Sequence, residues 1–135
     1  MPTPHPVSLK RIYDEPAPED GYRVLVDRIW PRGLSHDRAR IDEWVSQVAP
    51  STQLRTWYGH DPARFEEFER RYRAELSAAQ PAAALSHLGE LAHTRAQAGL
   101  TLLTATRRSD ISHAAVLVHL LTTPESSTTH DWATG

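Results

Sequence analysis

The sequence predicts a small single-domain α/β protein with a short, mainly parallel central sheet flanked by helices. Two runs, Val24-Leu25-Val26 and Leu100-Thr-Leu-Leu-Thr-Ala-Thr106, have the apolar, partly β-branched character of strands covered on both faces. The segments between them carry apolar residues at helical spacing. The order strand, helices, strand, helix is that of parallel strands joined by crossovers. A length of 135 residues fits one domain, and a chain of that size buries roughly two-thirds of its unfolded surface, enough for its own core.

The elements follow in order. Val7 to Tyr13 alternates apolar and polar residues and reads as a first strand. Asp14 to Gly21, with two prolines, four acids and a glycine, reads as an exposed loop. The strand from Tyr22 comes next, and Pro31 and Gly33 force the chain out of the sheet. Ser35 is placed to cap a helix that presents Ile41, Trp44, Val45 and Val48 on one face and stops at Pro50. Residues 51–60 form a connection with room for a short helical turn. Asp61-Pro62 starts the next helix, on which Phe65, Phe68, Tyr72, Leu76 and Ala79 make an apolar stripe. Its other face, from Glu66 to Glu75, carries charges of both signs and reads as a solvated surface with intrahelical pairs. Pro81 ends or restarts that helix, and Leu85, Leu88 and Leu91 or Ala92 continue as another. Gly99 punctuates before the second buried strand. A last helix turns Ala114, Ala115, Leu117, Val118 and Leu121 inward. Residues 1–6 and 124–135 are polar and punctuated, so the domain is expected over 7–123 with flexible ends. Trp132 is an unexpected aromatic in such a tail.

Composition excludes several classes. The net charge of −2 and pI near 6.4 do not fit a general nucleic-acid binder, so nucleic acid is not the expected partner. Lys10 is the only lysine among 15 basic side chains; arginine favours planar contacts to carboxylate or phosphate. The absence of cysteine removes disulfides, a thiolate nucleophile and Cys-ligated metal. Neither a signal peptide nor a run of the roughly 20 apolar residues needed to span a bilayer is visible, and a cytoplasmic protein without a membrane partner is expected.

Three constellations can carry chemistry. Asp27-Arg28…Arg32-Gly33 follows a buried strand, where open parallel sheets place ligands; Arg28 and Arg32 can cradle an anion and Gly33 can admit close backbone approach. The plain alternative is an Asp27–arginine pair that fixes the turn. Trp57-Tyr-Gly-His-Asp-Pro62 places His60 just before a helix start, as a candidate acid or base assisted by Asp61 or the Tyr58 hydroxyl. The alternative is a cap in which Asp61 serves the backbone. Arg107-Arg108-Ser109-Asp110 joins the last strand to the last helix and makes another anion-friendly corner, unless it is ordinary capping. No phosphate-binding loop, G-x-G-x-x-G or G-x-S-x-G motif is present. No two histidines lie at i, i+4. A metal held by His60, His113 and Asp27 is weighed and set aside, so neither metal nor cofactor is expected.

Leu9-Lys-Arg-Ile-Tyr13, Tyr22-Arg-Val-Leu-Val-Asp-Arg-Ile-Trp-Pro-Arg-Gly33, the stretch from Trp44 through Trp57-Tyr-Gly-His-Asp-Pro62, and Thr101-Leu-Leu-Thr-Ala with Ala115-Val-Leu117 carry a resemblance covering about residues 8 to 122. In these segments the chain resembles the YeaO-like group of the DUF488 family. The resemblance supports Arg11, Asp27, Arg28, Trp30, Pro31, Arg32, Gly33, Trp57, Gly59, His60, Asp61 and Pro62, and implies no particular activity. It departs at the last loop. Arg107 fits the family pattern, but Arg108 and Ile111 stand where the resemblance implies aspartate and histidine. His113 is left as a stand-in from another position.

The expectation is a protein that binds a small phosphate- or carboxylate-bearing ligand through Asp27, Arg28, Arg32, Gly33 and Arg107. His60, Asp61 and Tyr58 are the candidates for any metal-independent hydrolysis or transfer. The alternative is a non-catalytic nucleotide- or nucleic-acid-binding regulatory module, and a homodimer is compatible with either.

Overall fold

A computed structural model describes residues 7–95 and 97–122. The expected flexible ends and Trp132 lie outside these residues. The sheet has four strands, β1 Val7–Arg11, β2 Tyr22–Leu25, β3 Glu43–Trp44 and β4 Leu100–Thr104. All pairings are parallel and the order is β1-β4-β2-β3. The last strand in sequence is therefore a central one: Leu100 pairs with Val7 on one side and Tyr22 on the other. Every residue of β4 is buried, which accounts for its lack of polar alternation.

Strand periodicity divides the sheet into two faces. Val24, Val26, Leu100 and Leu102 point into the main core. The helices that fill it are α2 Thr52–Tyr58, α3 Phe65–Glu75, α4 Ala79–Thr94 and α5 His113–Thr122. Leu25 and Leu103 point the other way, into a smaller cluster with Ile12 and with Ala39 of α1 His36–Ala39. The β1–β2 crossover, residues 12–21, covers this second face without an α-helix. It is fixed by Asp20, which takes hydrogen bonds from Lys10 and Arg23, and by Thr101, whose hydroxyl donates to the Asp20 carbonyl at 2.7 Å.

The segment from Ser35 to Pro50 is not the single helix that its spacing predicts. Ser35 does cap a helix, accepting from the Arg38 N–H, but α1 ends at Ala39 and Arg40 adopts a left-handed φ of 50°. Asp42 then accepts from the Arg23 N–H through its side chain at 2.8 Å and donates its own N–H to the Arg23 carbonyl. These bonds lay down β3 on the edge of β2, and a 3-10 turn over 46–48 follows. The reason is burial on two faces: Ile41 packs with the smaller cluster, whereas Val45 and Val48 belong to the main core. One helical stripe cannot serve both sides of a sheet.

Elsewhere the elements sit close to where the sequence puts them, except that α3 ends at Glu75 and Ala79, expected on its apolar stripe, is exposed and opens α4. The connection after Pro50 forms α2, capped by Ser51. Asp61 accepts from the Ala63 N–H and opens a 3-10 turn that runs into α3. Pro81 lies in the first turn of α4, where its missing N–H costs no helical bond. The exposed face of α3 pairs Glu67 with Arg71 and Glu69 with Arg73 at i, i+4. Among the described residues, no helix is long and apolar enough to cross a membrane.

Candidate ligand-binding site

A parallel sheet delivers the ends of all its strands to one edge, and here that edge holds a cavity of about 380 Å³. Each strand contributes the residues that follow it: Tyr13 after β1, Asp27 to Arg32 after β2, Ala49-Pro50 after β3, and Ala105-Thr106 after β4. The helical side adds Arg55, Tyr58 and His60 from α2 and its end, Phe68 from α3, and Ser112-His113 at the start of α5.

The loop after β2 is held rigidly by its aromatic neighbours. The Trp44 indole donates to the Asp27 carbonyl at 2.7 Å, the Trp30 indole to the Leu34 carbonyl at 2.7 Å, and the Tyr13 hydroxyl to the Arg32 carbonyl at 3.1 Å. Trp30 stacks on His36 with centroids 3.9 Å apart. Arg28 is anchored too, through Nε and Nη2 donating to the carbonyls of Ala49 and Pro50 at 3.1–3.3 Å. Its guanidinium thus ties the end of β2 to the chain after β3.

Asp27 pairs with no arginine. One carboxylate oxygen accepts from the Thr104 hydroxyl at 2.8 Å and the other from the Ala105 N–H at 2.8 Å. His113 Nε2 approaches Oδ1 at 3.3 Å and the Val26 carbonyl at 3.0 Å. A carbonyl brings no proton, so Nε2 carries the hydrogen and the ring donates. Burial alone would raise the Asp27 carboxyl, but the His113 hydrogen bond and charge, with the Ala105 and Thr104 bonds, outweigh it and hold the group below the usual range. The carboxylate is a clamp joining β2, β4 and α5.

The α2 wall is set by its cap. Ser51 Oγ accepts from the Leu54 N–H and donates to Glu75 at 2.6 Å, which locks the start of α2 to the end of α3. Tyr58 is 2% exposed, stacks on Phe68 at 4.2 Å, and donates its hydroxyl to the Ile111 carbonyl at 2.7 Å. Burial pushes its phenol up to about 12. Gly59 ends α2 in the left-handed region at φ 56° and His60 stays there at φ 57°, an uncommon conformation for a side-chain-bearing residue. The exposed His60 ring stands edge-on to Tyr58 at 5.7 Å.

Of the sequence-derived candidates, Asp27, Arg28, Arg32, Tyr58 and His60 line one cavity, whereas Gly33, Asp61 and Arg107 do not. Gly33 has φ 76°, with nothing within 4 Å of where a Cβ would stand, so its glycine serves the turn. Asp61 caps the turn before α3 and faces Arg64 at 3.7 Å. Arg107 is exposed, because the cavity wall after β4 ends at Thr106. Beyond it, Arg108 is engaged with Asp110 through two bonds of 3.1 Å. Sequence reasoning missed Arg55 altogether and weighed His113 only as a stand-in or as a metal ligand, not as the hydrogen-bond partner of Asp27. Arg55 lies three residues before Tyr58 on a helix, hence on the same face, and that spacing was the available signal. Among the described residues, no group of three or more His, Asp or Glu side chains gathers as a metal site would.

Comparison with known proteins agrees with the resemblance. A family model described as the inactive DUF488-N3 subclade matches residues 6–133. An uncharacterised protein of Mycobacterium tuberculosis is 48% identical over 115 residues, 85% of this chain and 92% of that protein, and one of Mycobacterium bovis matches equally. The uncharacterised protein YeaO of Escherichia coli is 36% identical over 115 residues, 85% of this chain and 96% of its own length. No solved structure matches at comparable significance.

Proposed function

Because the chain belongs to the YeaO-like DUF488 family, within the subclade described as inactive, we propose that it binds a small phosphate- or carboxylate-bearing ligand at the carboxyl edge of its sheet without turning it over. The observation that carries this reading is the rim of the cavity. Three arginines, Arg28, Arg32 and Arg55, and His60 are all exposed and line one opening. Guanidinium groups gathered at a concave site favour a bidentate anion, and Arg28 is already oriented by two backbone carbonyls.

The groups that would be needed for turnover support binding alone. The Tyr58 hydroxyl is spent on a backbone carbonyl and holds its proton far above neutral pH. Asp61 is spent on a helix start. Arg108 and Ile111 occupy the positions where the resemblance implies an aspartate and a histidine. Of the sequence-derived acid–base candidates His60 remains, and its left-handed backbone favours a catalytic reading.

Titration with inorganic phosphate, nucleoside monophosphates and small carboxylates, followed by calorimetry, tests the proposal. At least one should bind, and Arg32→Ala should weaken it roughly 10- to 100-fold, the worth of one charge-assisted contact. A folded protein that responds to no member of the panel refutes the reading. Hydrolysis of a phosphate ester that disappears in His60→Ala would replace binding with catalysis.

A further inference from the structure

Resting on the anion-binding reading above, we propose that the ligand is an aromatic ring bearing one compact anionic group, with the ring inside the cavity and the anion held at its mouth. The make-up of the cavity lining carries this. Its accessible apolar surface comes from Tyr13, Ile29 and Trp30, which are partly or well exposed, and from Ala105. The exposed cations Arg28, Arg32, Arg55 and His60 line the same cavity. An inorganic anion would use only the second set and leave the first facing water.

The interior polar groups point the same way. The Tyr58 hydroxyl is committed to Ile111, Ser112 Oγ donates to the Ser109 carbonyl at 2.7 Å, and both Asp27 oxygens are taken by Thr104, Ala105 and His113. An anionic group placed among them would lose its water and face the Asp27 carboxylate. Placed at the mouth, it meets guanidinium groups. The planar side chains of Tyr13 and Trp30 in the lining favour a ring over a flexible chain. A cavity of about 380 Å³ is at the small end of ligand sites, suited to one ring system rather than a dinucleotide.

The test compares matched pairs by calorimetry: inorganic phosphate with phenyl phosphate, and acetate with benzoate. Burial of a phenyl ring should make the aryl member of the favoured pair roughly 10- to 100-fold tighter. The favoured pair itself identifies the head group. Ala49→Val, which adds carbon at the inner wall, should bring the aryl-to-parent affinity ratio back towards one; Ala105→Val serves the same purpose if the first variant does not fold. Equal affinities within a pair, with the parent anion still binding, overturn this inference and leave the anion-binding reading standing. Absence of binding by all four compounds overturns this inference, and absence across the wider panel, nucleoside monophosphates included, overturns both.

Discussion

Asp27→Asn isolates the clamp at the base of the cavity. In the native protein one carboxylate oxygen accepts the Ala105 N–H, and the other accepts the Thr104 hydroxyl and the His113 Nε2–H. An amide offers a single acceptor oxygen and presents N–H where the second oxygen stood. With its oxygen towards Ala105, the amide N–H confronts the His113 donor. In the opposite orientation it confronts the Ala105 N–H. Either way one donor loses its acceptor, and with a charged acceptor each such bond is worth about 1.5–3 kcal/mol. A loss of about 2–3 kcal/mol is therefore expected at pH 7, against a total stability of roughly 5–15 kcal/mol. Urea unfolding followed by tryptophan fluorescence measures it. The pH dependence sharpens the test. The Asp27 carboxyl is held lower in the folded protein than in the unfolded chain, where it titrates near the usual value of about 3.9. Its contribution is complete above that unfolded value and is lost as the pH falls through the folded one. Asparagine does not titrate, so the gap between the two proteins should be widest at neutral pH and close progressively below about pH 4. A gap under about 0.5 kcal/mol at pH 7, or one that stays constant into acid, refutes the clamp.

Two glycines and one histidine test the backbone. In Gly21→Ala the new Cβ would stand 2.3 Å from the Gly99 carbonyl oxygen and 2.4 Å from that of Ala98, so a loss of more than about 3 kcal/mol or failure to fold is expected. Gly33→Ala shares the positive φ but has open space, and should cost only about 1–2 kcal/mol in the same urea assay. Equal costs would count against the close approach at Gly21. His60→Gly relieves the left-handed strain at the cavity mouth and should raise stability by up to about 1 kcal/mol while weakening phosphate binding. Lower stability in thermal melts would show that the His60 ring, not the rim, is what the position serves.

Much of this architecture was legible because local and tertiary preferences coincide. Phe68 and Tyr72 recur at helical spacing and are buried on one helix, and Val24 and Leu102 read as covered strands and are. Residues 36–49 were misread because Ile41, Trp44, Val45 and Val48 imitate a helical stripe while being buried on opposite faces of the sheet or, for Trp44, left 41% exposed. Only the long-range pairing of Asp42 with Arg23 decides the matter, and no local window contains both. The site divides in the same way. Asp27 to Arg32 could be placed from a strand end alone. The partner of Asp27 is His113, which lies far along the chain and stands at the same edge only because β4 is inserted between β1 and β2.

That insertion also governs when the protein can fold. The sheet cannot close until Leu100 to Thr104 exists, because both β1 and β2 dock on that strand rather than on each other. On the ribosome the first two strands emerge without the partner they share, β2 gaining only β3 on its other edge, and wait for most of the chain to follow. The entropic cost of ordering the sheet falls on one late, long-range step, the kind that slows folding and leaves strand edges open to wrong partners. A chain cut short before Leu100 lacks the middle of its sheet rather than a rim, and with it the edge on which Asp27 and the arginines are assembled.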